Sequence, residues 1–220
     1  MQDKEKSFLA VYEGGQGEIV EKKSRFIATV RPVETEEEAV AFINEMKKQY
    51  WDARHNCSAF VLGSNQEISR CSDDGEPAQT AGRPMLDVLL KEGVTNVAVV
   101  VTRYFGGVLL GTGGLVRAYQ KAVQEGLAAC VIIEKKKGCR LCIGTDYNGV
   151  GKLQYLFGQK QISILDSEYG ADVRMTVLVP IERKAELEKA IIEQTSGSAA
   201  LEWGDEVVYA LVEKEVKVFE

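Results

Sequence analysis

A glycine-rich segment at residues 103–117 reads R-Y-F-G-G-V-L-L-G-T-G-G-L-V-R. Glycines between a buried strand and a helix N-terminus let backbone N–H groups converge on an anion, and the helix dipole strengthens the attraction. Arg103 and Arg117 at the two ends favour phosphate as the ligand. The alternative is that the glycines only permit positive φ angles and close helix packing. The candidate phosphate- or RNA-binding residues are Gly106, Gly107, Gly111, Gly113, Gly114, Arg54, Arg103 and Arg117.

Two nucleotide-binding motifs do not fit this glycine-rich segment. A P-loop needs G-K-[ST] at the start of the helix, and no such run is present. The dinucleotide fingerprint needs a third glycine where Val116 stands. The segment therefore indicates anion binding without a nucleotide motif, and the sequence predicts no cofactor.

The run C-S-D-D-G-E-P places Asp73, Asp74 and Glu76 in one turn. Three carboxylates so close together could hold a hard cation, or could supply acid and base if their pKa values were driven apart. D-G and E-P are also ordinary turn sequences, and Asp73 is placed to accept hydrogen bonds from nearby N–H groups. We favour this structural interpretation and predict no metal site. Asp73, Asp74 and Glu76, together with His55, remain candidates for catalysis, and the sequence leaves open whether the protein is an enzyme.

A third segment, Y-W-D-A-R-H-N-C, mixes aromatic and basic residues between a helix and a strand. Arg54 and His55 could contact phosphates while Tyr50 or Trp51 stacks on a base. His55 and Cys57 project from the same face of a strand, which is also compatible with a Cys/His nucleophile pair. The alternative is a histidine that hydrogen-bonds to the backbone.

Hydrophobic periodicity predicts the elements that position these segments. Strands are predicted at 8–12, 17–23, 25–30, 57–62 and 94–102, a turn-rich run at 69–82, and helices from Thr35 to about Tyr50, from Pro84 to Lys91 and after the glycines. The pattern restarts after residues 135–138 as strand, helix, strand, strand, helix, strand, which is the ferredoxin-like βαββαβ order. We therefore predict an α+β protein with two domains, residues 1–135 and 136–220.

Composition and net charge limit the classes of protein to which this chain can belong. The 220 residues carry 27 Lys and Arg against 33 Asp and Glu, a net charge of −6, and 45% are hydrophobic, which is typical of a soluble globular protein. The acidic balance argues against a protein that coats DNA but permits a local basic patch. The longest uncharged stretch has 13 residues, too few for a membrane span of about 20. The charged N-terminus and the odd set of five cysteines predict a cytoplasmic protein with reduced thiols.

Four blocks of the sequence resemble the IMPACT family, specifically its bacterial YigZ-like branch. They are K-K-S-R-F-I-A at 22–28, A-R-H-N-C at 53–57, S-D-D-G-E-P-A-x-T-A-G-x-P-M-L at 72–86 and V-T-R-Y-F-G-G-V-L-L-G-T-G-G-L-V-R-A-Y at 101–119. The resemblance covers about residues 1–130. Two positions depart from the family pattern. Gln79 stands where many members have glycine, and Leu109 stands where some have lysine.

The resemblance carries expectations about fold and function. It implies an N-terminal α/β domain like the second domain of a small-subunit ribosomal protein, a fold also found in small-molecule kinases. It implies a C-terminal domain similar to a ferredoxin-like domain of elongation factor G. Eukaryotic relatives regulate translation initiation under amino-acid stress, so the resemblance implies a ribosome or a protein partner in translation.

Three functions are consistent with these observations. The leading hypothesis is a translation-associated regulatory protein that binds ribosomal or other structured RNA through the glycine-rich segment and Arg54, Arg103 and Arg117. The second is an enzyme that acts on a phosphorylated or peptide substrate with the acidic turn near His55. The third is a protein-interaction module. Whether the acidic turn, His55 and the glycine-rich segment share one cleft distinguishes them.

Overall fold

The computed structural model describes residues 7–213 and 215–219. The chain forms two compact units, one comprising Phe8–Glu134 and the other comprising Ser7 and the described residues from Lys135 onwards. That residues 1–135 and 136–220 fold independently stays a prediction. The α+β class and the two-part arrangement of elements are confirmed.

The N-terminal unit (Phe8–Glu134) is built on a five-stranded antiparallel sheet in the order β2-β3-β7-β4-β5. A separate strand, β1, pairs in parallel with the two-residue strand β6. The elements are β1 Ser7–Glu13, β2 Gly15–Glu21, β3 Ser24–Pro32, α1 Glu36–Gln49, β4 His55–Leu62, β5 Ile68–Ser72, α2 Gly82–Glu92, β6 Val94–Thr95, β7 Val97–Tyr104 and α3 Thr112–Ala128.

Helices cover both faces of this sheet, and β7 lies at its centre. Val99 and Val101 face the core formed with α2 and α3, whereas Ala98 and Val100 face the core formed with α1. A strand that is buried on both faces needs a continuous apolar run, because successive side chains point to opposite faces. This explains why the predicted central strand reads as almost unbroken Val and Ala. Asn96, with a φ of +52°, divides it into β6 and β7.

The C-terminal unit has the predicted βαββαβ order, followed by one further strand that the sequence analysis did not predict. Its strands form an antiparallel sheet in the order β9-β10-β8-β11-β12, and alternate residues of β8 and β10 bury one face under the two helices. The elements are β8 Val131–Thr145, α4 Tyr147–Lys160, β9 Ser163–Tyr169, β10 Val173–Pro180, α5 Lys184–Thr195, β11 Ala200–Val212 and β12 Glu215–Phe219. Within the described residues, no helix is long and apolar enough to cross a membrane.

Three local predictions differ from the structure. Residues 69–72, which the turn chemistry assigned to a turn-rich run, belong to the edge strand β5 because they pair with β4. Helix α3 begins at Thr112, so Gly113 and Gly114 lie in its first turn rather than in a loop. Residues 135–138 lie inside β8, because Lys136 and Gly138 pair with residues of β11.

Candidate functional site

All three candidate segments meet at one end of the five-stranded sheet. The register pairs Arg25 with Tyr104 and His55 with Arg103, so β3 and β4 begin beside the end of β7. The acidic turn follows β5, whose last residue pairs with the start of β4. The hydroxyl of Tyr104 also donates a hydrogen bond to Asp52 at 2.8 Å, which ties the loop before β4 to the end of β7. The sheet thus brings the acidic turn, His55 and the glycine-rich segment to a common edge.

Asp73 holds the start of α2. Its carboxylate accepts hydrogen bonds from the backbone N–H groups of Gln79 (2.8 Å), Ala81 (3.0 Å) and Gly82 (2.8 Å). Helix α2 has no acidic residue in its first turn and begins after Ala81, whose side chain cannot cap it. Asp73 therefore supplies the cap from a distance, and the structural interpretation of this residue is confirmed.

The structure accounts for Gln79, one of the two positions that depart from the family pattern. Its φ of +63° lies in the left-handed region, where glycine is least strained. Asp73 accepts the hydrogen bond of the Gln79 N–H at 2.8 Å, which holds this backbone conformation with a side chain present. Position 79 is therefore one at which the chain adopts a positive φ angle, the conformation that glycine tolerates best.

Asp74 and His55 are also engaged by the protein. The Asp74 carboxylate lies 2.5 Å from Lys47 Nζ and accepts the backbone N–H of Asn56 at 2.7 Å. His55 Nδ1 lies 3.0 Å from the Asp74 carbonyl oxygen. A carbonyl only accepts, so Nδ1 carries the proton and donates it. This is the backbone-bonded histidine that the sequence left as an alternative.

Glu76 forms a buried ion pair with Arg103. Its Oε1 lies 2.6 Å from the Arg103 guanidinium and accepts the Tyr119 hydroxyl at 2.8 Å. Arg103 is only 7% exposed, and its guanidinium carbon lies 5.4 Å from the Phe26 ring and 5.6 Å from the Phe105 ring. Within the described residues, Arg103 Nε has no hydrogen-bond acceptor. The arginine predicted to contact phosphate is therefore an internal cation, because Glu76 and the two rings surround it.

Cys57 is buried beneath the same turn. Its Sγ lies 3.0 Å from the Asp73 carbonyl oxygen and 3.3 Å from the Tyr119 hydroxyl. Burial raises the pKa of Cys57 to about 12, and burial likewise raises the pKa of Tyr119. The reactive form of cysteine is the thiolate, which is scarce at neutral pH when the pKa is so high. Burial of the Cys57 thiol therefore does not support the Cys/His nucleophile pair.

These contacts leave the acidic turn without a free carboxylate for chemistry. Each of Asp73, Asp74 and Glu76 already accepts at least two hydrogen bonds from the protein. In the described part of the chain, no three His, Cys, Asp or Glu side chains are grouped to hold a metal ion. The turn acts as a structural brace between β5, α2 and the end of β7.

The glycine loop (residues 105–111) connects β7 to α3. A Cβ at Gly106 would lie 2.0 Å from the backbone of Lys23, and the Gly106 N–H donates to Ser24 Oγ at 3.2 Å. The loop is therefore fastened at its base to the β2–β3 turn by a contact that only glycine permits. Gly111 has φ +74° and ψ 166°, a combination that is essentially restricted to glycine.

A cationic pocket lies along one side of α3, beginning at Gly114 in the first turn of the helix. Helix α3 has no side-chain cap and no acidic residue in its first turn, so the positive end of its dipole is uncompensated. A pocket of about 250 Å³ lies beside Gly114, and Lys22, Arg117 and Lys121 contribute to its lining together with Glu21. Three cations against one anion make the pocket attractive to a negatively charged ligand.

The predicted binding residues do not all reach this pocket. Arg117 and Gly114 line it, whereas Arg54 is exposed on the loop before β4 and is not part of the lining. The sequence analysis did not predict Lys121 as a binding residue, although its spacing of four residues from Arg117 places both on one face of a helix. Lys22 lies in the turn between β2 and β3 and was not among the predicted binding residues.

Two family models match the chain. The Impact N-terminal domain matches residues 22–127, which contain four of the five strands of the sheet, all except β2, and most of the residues that line the pocket. A domain of unknown function, DUF1949, matches residues 143–198 in the C-terminal unit. The fold and the site thus define a two-part α+β protein whose N-terminal unit is an Impact N-terminal domain.

Known relatives have the same two-part extent. The chain is 41% identical over 199 residues to IMPACT family member YvyE of Bacillus subtilis, covering 90% of this chain and 92% of the relative. It is 38% identical to IMPACT family member YigZ of Escherichia coli, covering 82% of this chain and 89% of the relative. A solved structure described as a hypothetical protein has a TM-score of 0.58 and 36% identity, covering 89% of this chain and 96% of that one. The chain belongs to the IMPACT family.

A shorter similarity extends to eukaryotes. The chain is 38% identical over 97 residues to Protein IMPACT homolog of Dictyostelium discoideum, covering 42% of this chain and 28% of that protein. The likeness therefore concerns less than half of this chain and less than a third of that relative.

Proposed function

We propose that this chain is a translation-associated regulatory protein that binds ribosomal or other structured RNA at the glycine loop and the N-terminus of α3. Membership of the IMPACT family supports the association with translation. The observation that carries RNA binding is the pocket that Lys22, Arg117 and Lys121 line along one side of α3, beginning at Gly114 in its uncapped first turn.

The proposed chemistry is phosphate recognition by backbone and side chains together. The first amides of α3 have no partner inside the helix and point towards its N-terminus, where a phosphate oxygen can accept their hydrogen bonds. Arg117 and Lys121 add full charges further along the same side of the helix. Arg103 takes no direct part, because its charge is buried against Glu76. The net charge of −6 makes the attraction a property of this patch and not of the whole surface.

The proposal also includes the cellular location and the binding partners of the protein. A translation-associated RNA-binding protein acts in the cytoplasm, with the ribosome or a protein of translation as partner. Independent folding of residues 1–135 and 136–220 would allow the N-terminal unit to bind RNA while the ferredoxin-like unit contacts a second partner. Expression of residues 1–135 alone tests this arrangement, because a fragment that does not unfold cooperatively would contradict it.

The test is RNA affinity across a series of salt concentrations. Each protein–phosphate contact adds about one to the slope of log K against log salt, because it releases condensed counterions. We expect Arg117→Ala and Lys121→Ala each to weaken binding and to lower this slope by about one. Lys91→Ala is the matched control, because Lys91 is an exposed cation in the last turn of α2 and is not part of the pocket lining.

The same experiment can overturn the proposal. An unchanged slope for a folded Arg117→Ala variant would remove Arg117 from the site. Wild-type protein that shows no salt-dependent binding to RNA would overturn the function itself. Circular dichroism of each variant serves as the folding control.

A further inference from the structure

The glycine loop exposes large apolar side chains beside the cationic pocket. Leu109 is 82% exposed, and Phe105 is 49% exposed although it directly follows the buried strand β7. Val108, between them, is also exposed. Water-exposed side chains of this size close together are unusual for a loop that only connects two elements, and they commonly mark a contact surface.

Phe105 is held in place from within the protein. The buried guanidinium of Arg103 lies 5.6 Å from the Phe105 ring, and Glu76 fixes that guanidinium at 2.6 Å. Cation–π attraction of this kind restrains the ring while leaving its remaining surface in solvent. An aromatic ring that is restrained before binding loses little conformational entropy when it meets a ligand. The buried ion pair therefore positions an exposed aromatic ring.

We propose that Phe105 stacks on a base of an unpaired nucleotide, so that the RNA recognised is a single-stranded loop, bulge or end and not a continuous duplex. This inference rests on the proposed function. In a duplex each base face is already covered by its neighbours, and a protein ring reaches a base face only where the nucleotide is unstacked. Phosphates of the same strand would lie against Arg117 and Lys121 while the base contacts Phe105.

The surrounding charges favour nucleic acid over protein as the occupant. Lysine is depleted in the centres of protein–protein interfaces, whereas Lys22 and Lys121 line the pocket next to the loop. An aromatic ring next to a cationic groove is the usual arrangement for single-stranded nucleic acid, because any base can stack and the backbone always carries charge. Glu76 and Arg103 act as positioning residues for Phe105 and do not touch the RNA.

The test compares one RNA in two forms, using the full chain. An unstructured single strand and the same strand annealed to its complement are titrated by fluorescence anisotropy. We expect the wild type to prefer the single strand and Phe105→Leu to bind it about 5- to 100-fold more weakly, the usual range for the loss of one stacked base. Phe105→Tyr should restore the affinity. The salt slope of Phe105→Leu should stay unchanged, because no phosphate contact is lost.

A matched control and a positioning variant sharpen the result. Tyr155→Leu removes an aromatic ring that is similarly exposed on α4 and should leave RNA binding unchanged. Arg103→Lys keeps the charge beside Glu76 but removes the planar guanidinium next to Phe105, so it should reduce the preference for the single strand without changing the salt slope.

The outcomes separate this inference from the proposed function. If the wild type binds neither RNA, the proposed function fails. If it binds both forms equally, or if Phe105→Leu binds the single strand as tightly as the wild type, the stacking inference fails while phosphate recognition stands. In that case the exposed loop is a protein-docking surface instead.

Discussion

The acidic turn and the glycine loop lie at the same edge of one sheet and differ in how their polar groups are satisfied. Every carboxylate of the turn is matched by protein donors, from Lys47 and Arg103 to the first amides of α2. The start of α3 has no side-chain cap, and the loop before it exposes apolar side chains. The comparison shows that a dense cluster of charged residues stabilises the fold when the groups that pair with those charges come from the protein itself.

The acidic turn and the glycine loop are also connected by a series of side-chain contacts. Glu76 at the end of the turn holds Arg103, and Arg103 contacts Phe105 at the start of the loop. Tyr119, on α3, donates to the same carboxylate. The turn therefore holds the end of β7 and helix α3, the two elements that the glycine loop joins, through one buried oxygen.

Glu76→Ala should cause the largest loss of stability. Removing Glu76 leaves the buried Arg103 cation without its counter-charge, and breaking a buried pair in this way costs about 3–5 kcal/mol. Denaturant unfolding measures the loss. Glu45→Ala, which removes an exposed pair with Arg31, is the control and should have a far smaller effect. Equal effects of the two substitutions would show that the turn is not a brace.

Asp73→Ala should lower the free energy of unfolding by about 2 kcal/mol. The carboxylate satisfies three backbone N–H groups, two of them at the start of α2, and loss of a helix cap alone costs about 0.5–2 kcal/mol. Asp87→Ala on the same helix breaks only an exposed pair with Arg83 and should cost at most about 0.5 kcal/mol. Thermal unfolding with and without Mg²⁺ provides the check. A strong metal-dependent stabilisation that Asp73→Ala abolishes would restore the metal interpretation of the turn.

Gly111→Ala should destabilise the loop although there is room for the added methyl group. A Cβ there would meet nothing within 4 Å, but φ +74° with ψ 166° strains any other residue by about 1–3 kcal/mol. Gly113→Ala is the control, because Gly113 lies in the first turn of α3 and alanine favours a helix. We expect its stability to remain within about 0.5 kcal/mol of the wild type. If Gly111→Ala unfolds at the same denaturant concentration as the wild type, the loop does not adopt the described conformation.

Stability should fall as the pH rises above about 9, by at most about 1.4 kcal/mol per pH unit for one group. The ordinary pKa of the thiol is 9.0, and burial raises that of Cys57 to about 12. Between these values the unfolded chain releases the proton and the folded protein retains it, so alkaline pH favours unfolding. Cys57→Ser, whose hydroxyl does not titrate in this range, should reduce the slope between pH 9 and 10, below the range in which Tyr119 contributes. Part of the slope should remain, because burial also raises the pKa values of Cys71, Cys130 and Cys139. An unchanged slope in this variant would place the titrating group elsewhere.

Local patterns were sufficient for much of the fold. Alternation and helical spacing predicted the βαββαβ order of the C-terminal unit and the buried central strand, because burial on one or two faces imposes a period on the sequence itself. They missed β5, whose exposed and polar residues become a strand only by pairing with β4. They also placed Gly113 and Gly114 in a loop, because glycine is a poor helix former and the packing of α3 overrides that preference.

The sequence by itself was enough to pick out the segments that the structure brings together, and to predict that backbone amides at the start of α3 could hold an anion. Only the tertiary structure decided the role of each charge. Arg103 and Glu76 are 27 residues apart, and Tyr119 is 43 residues from Glu76, so no local pattern reveals that they meet in the core. The same long-range packing withdrew Arg103 from the surface and brought Lys22 from the β2–β3 turn to face Arg117 and Lys121. The function of a charged residue depends on its burial and on its partner. A buried charge paired within the protein stabilises the fold, whereas an exposed charge can attract a ligand.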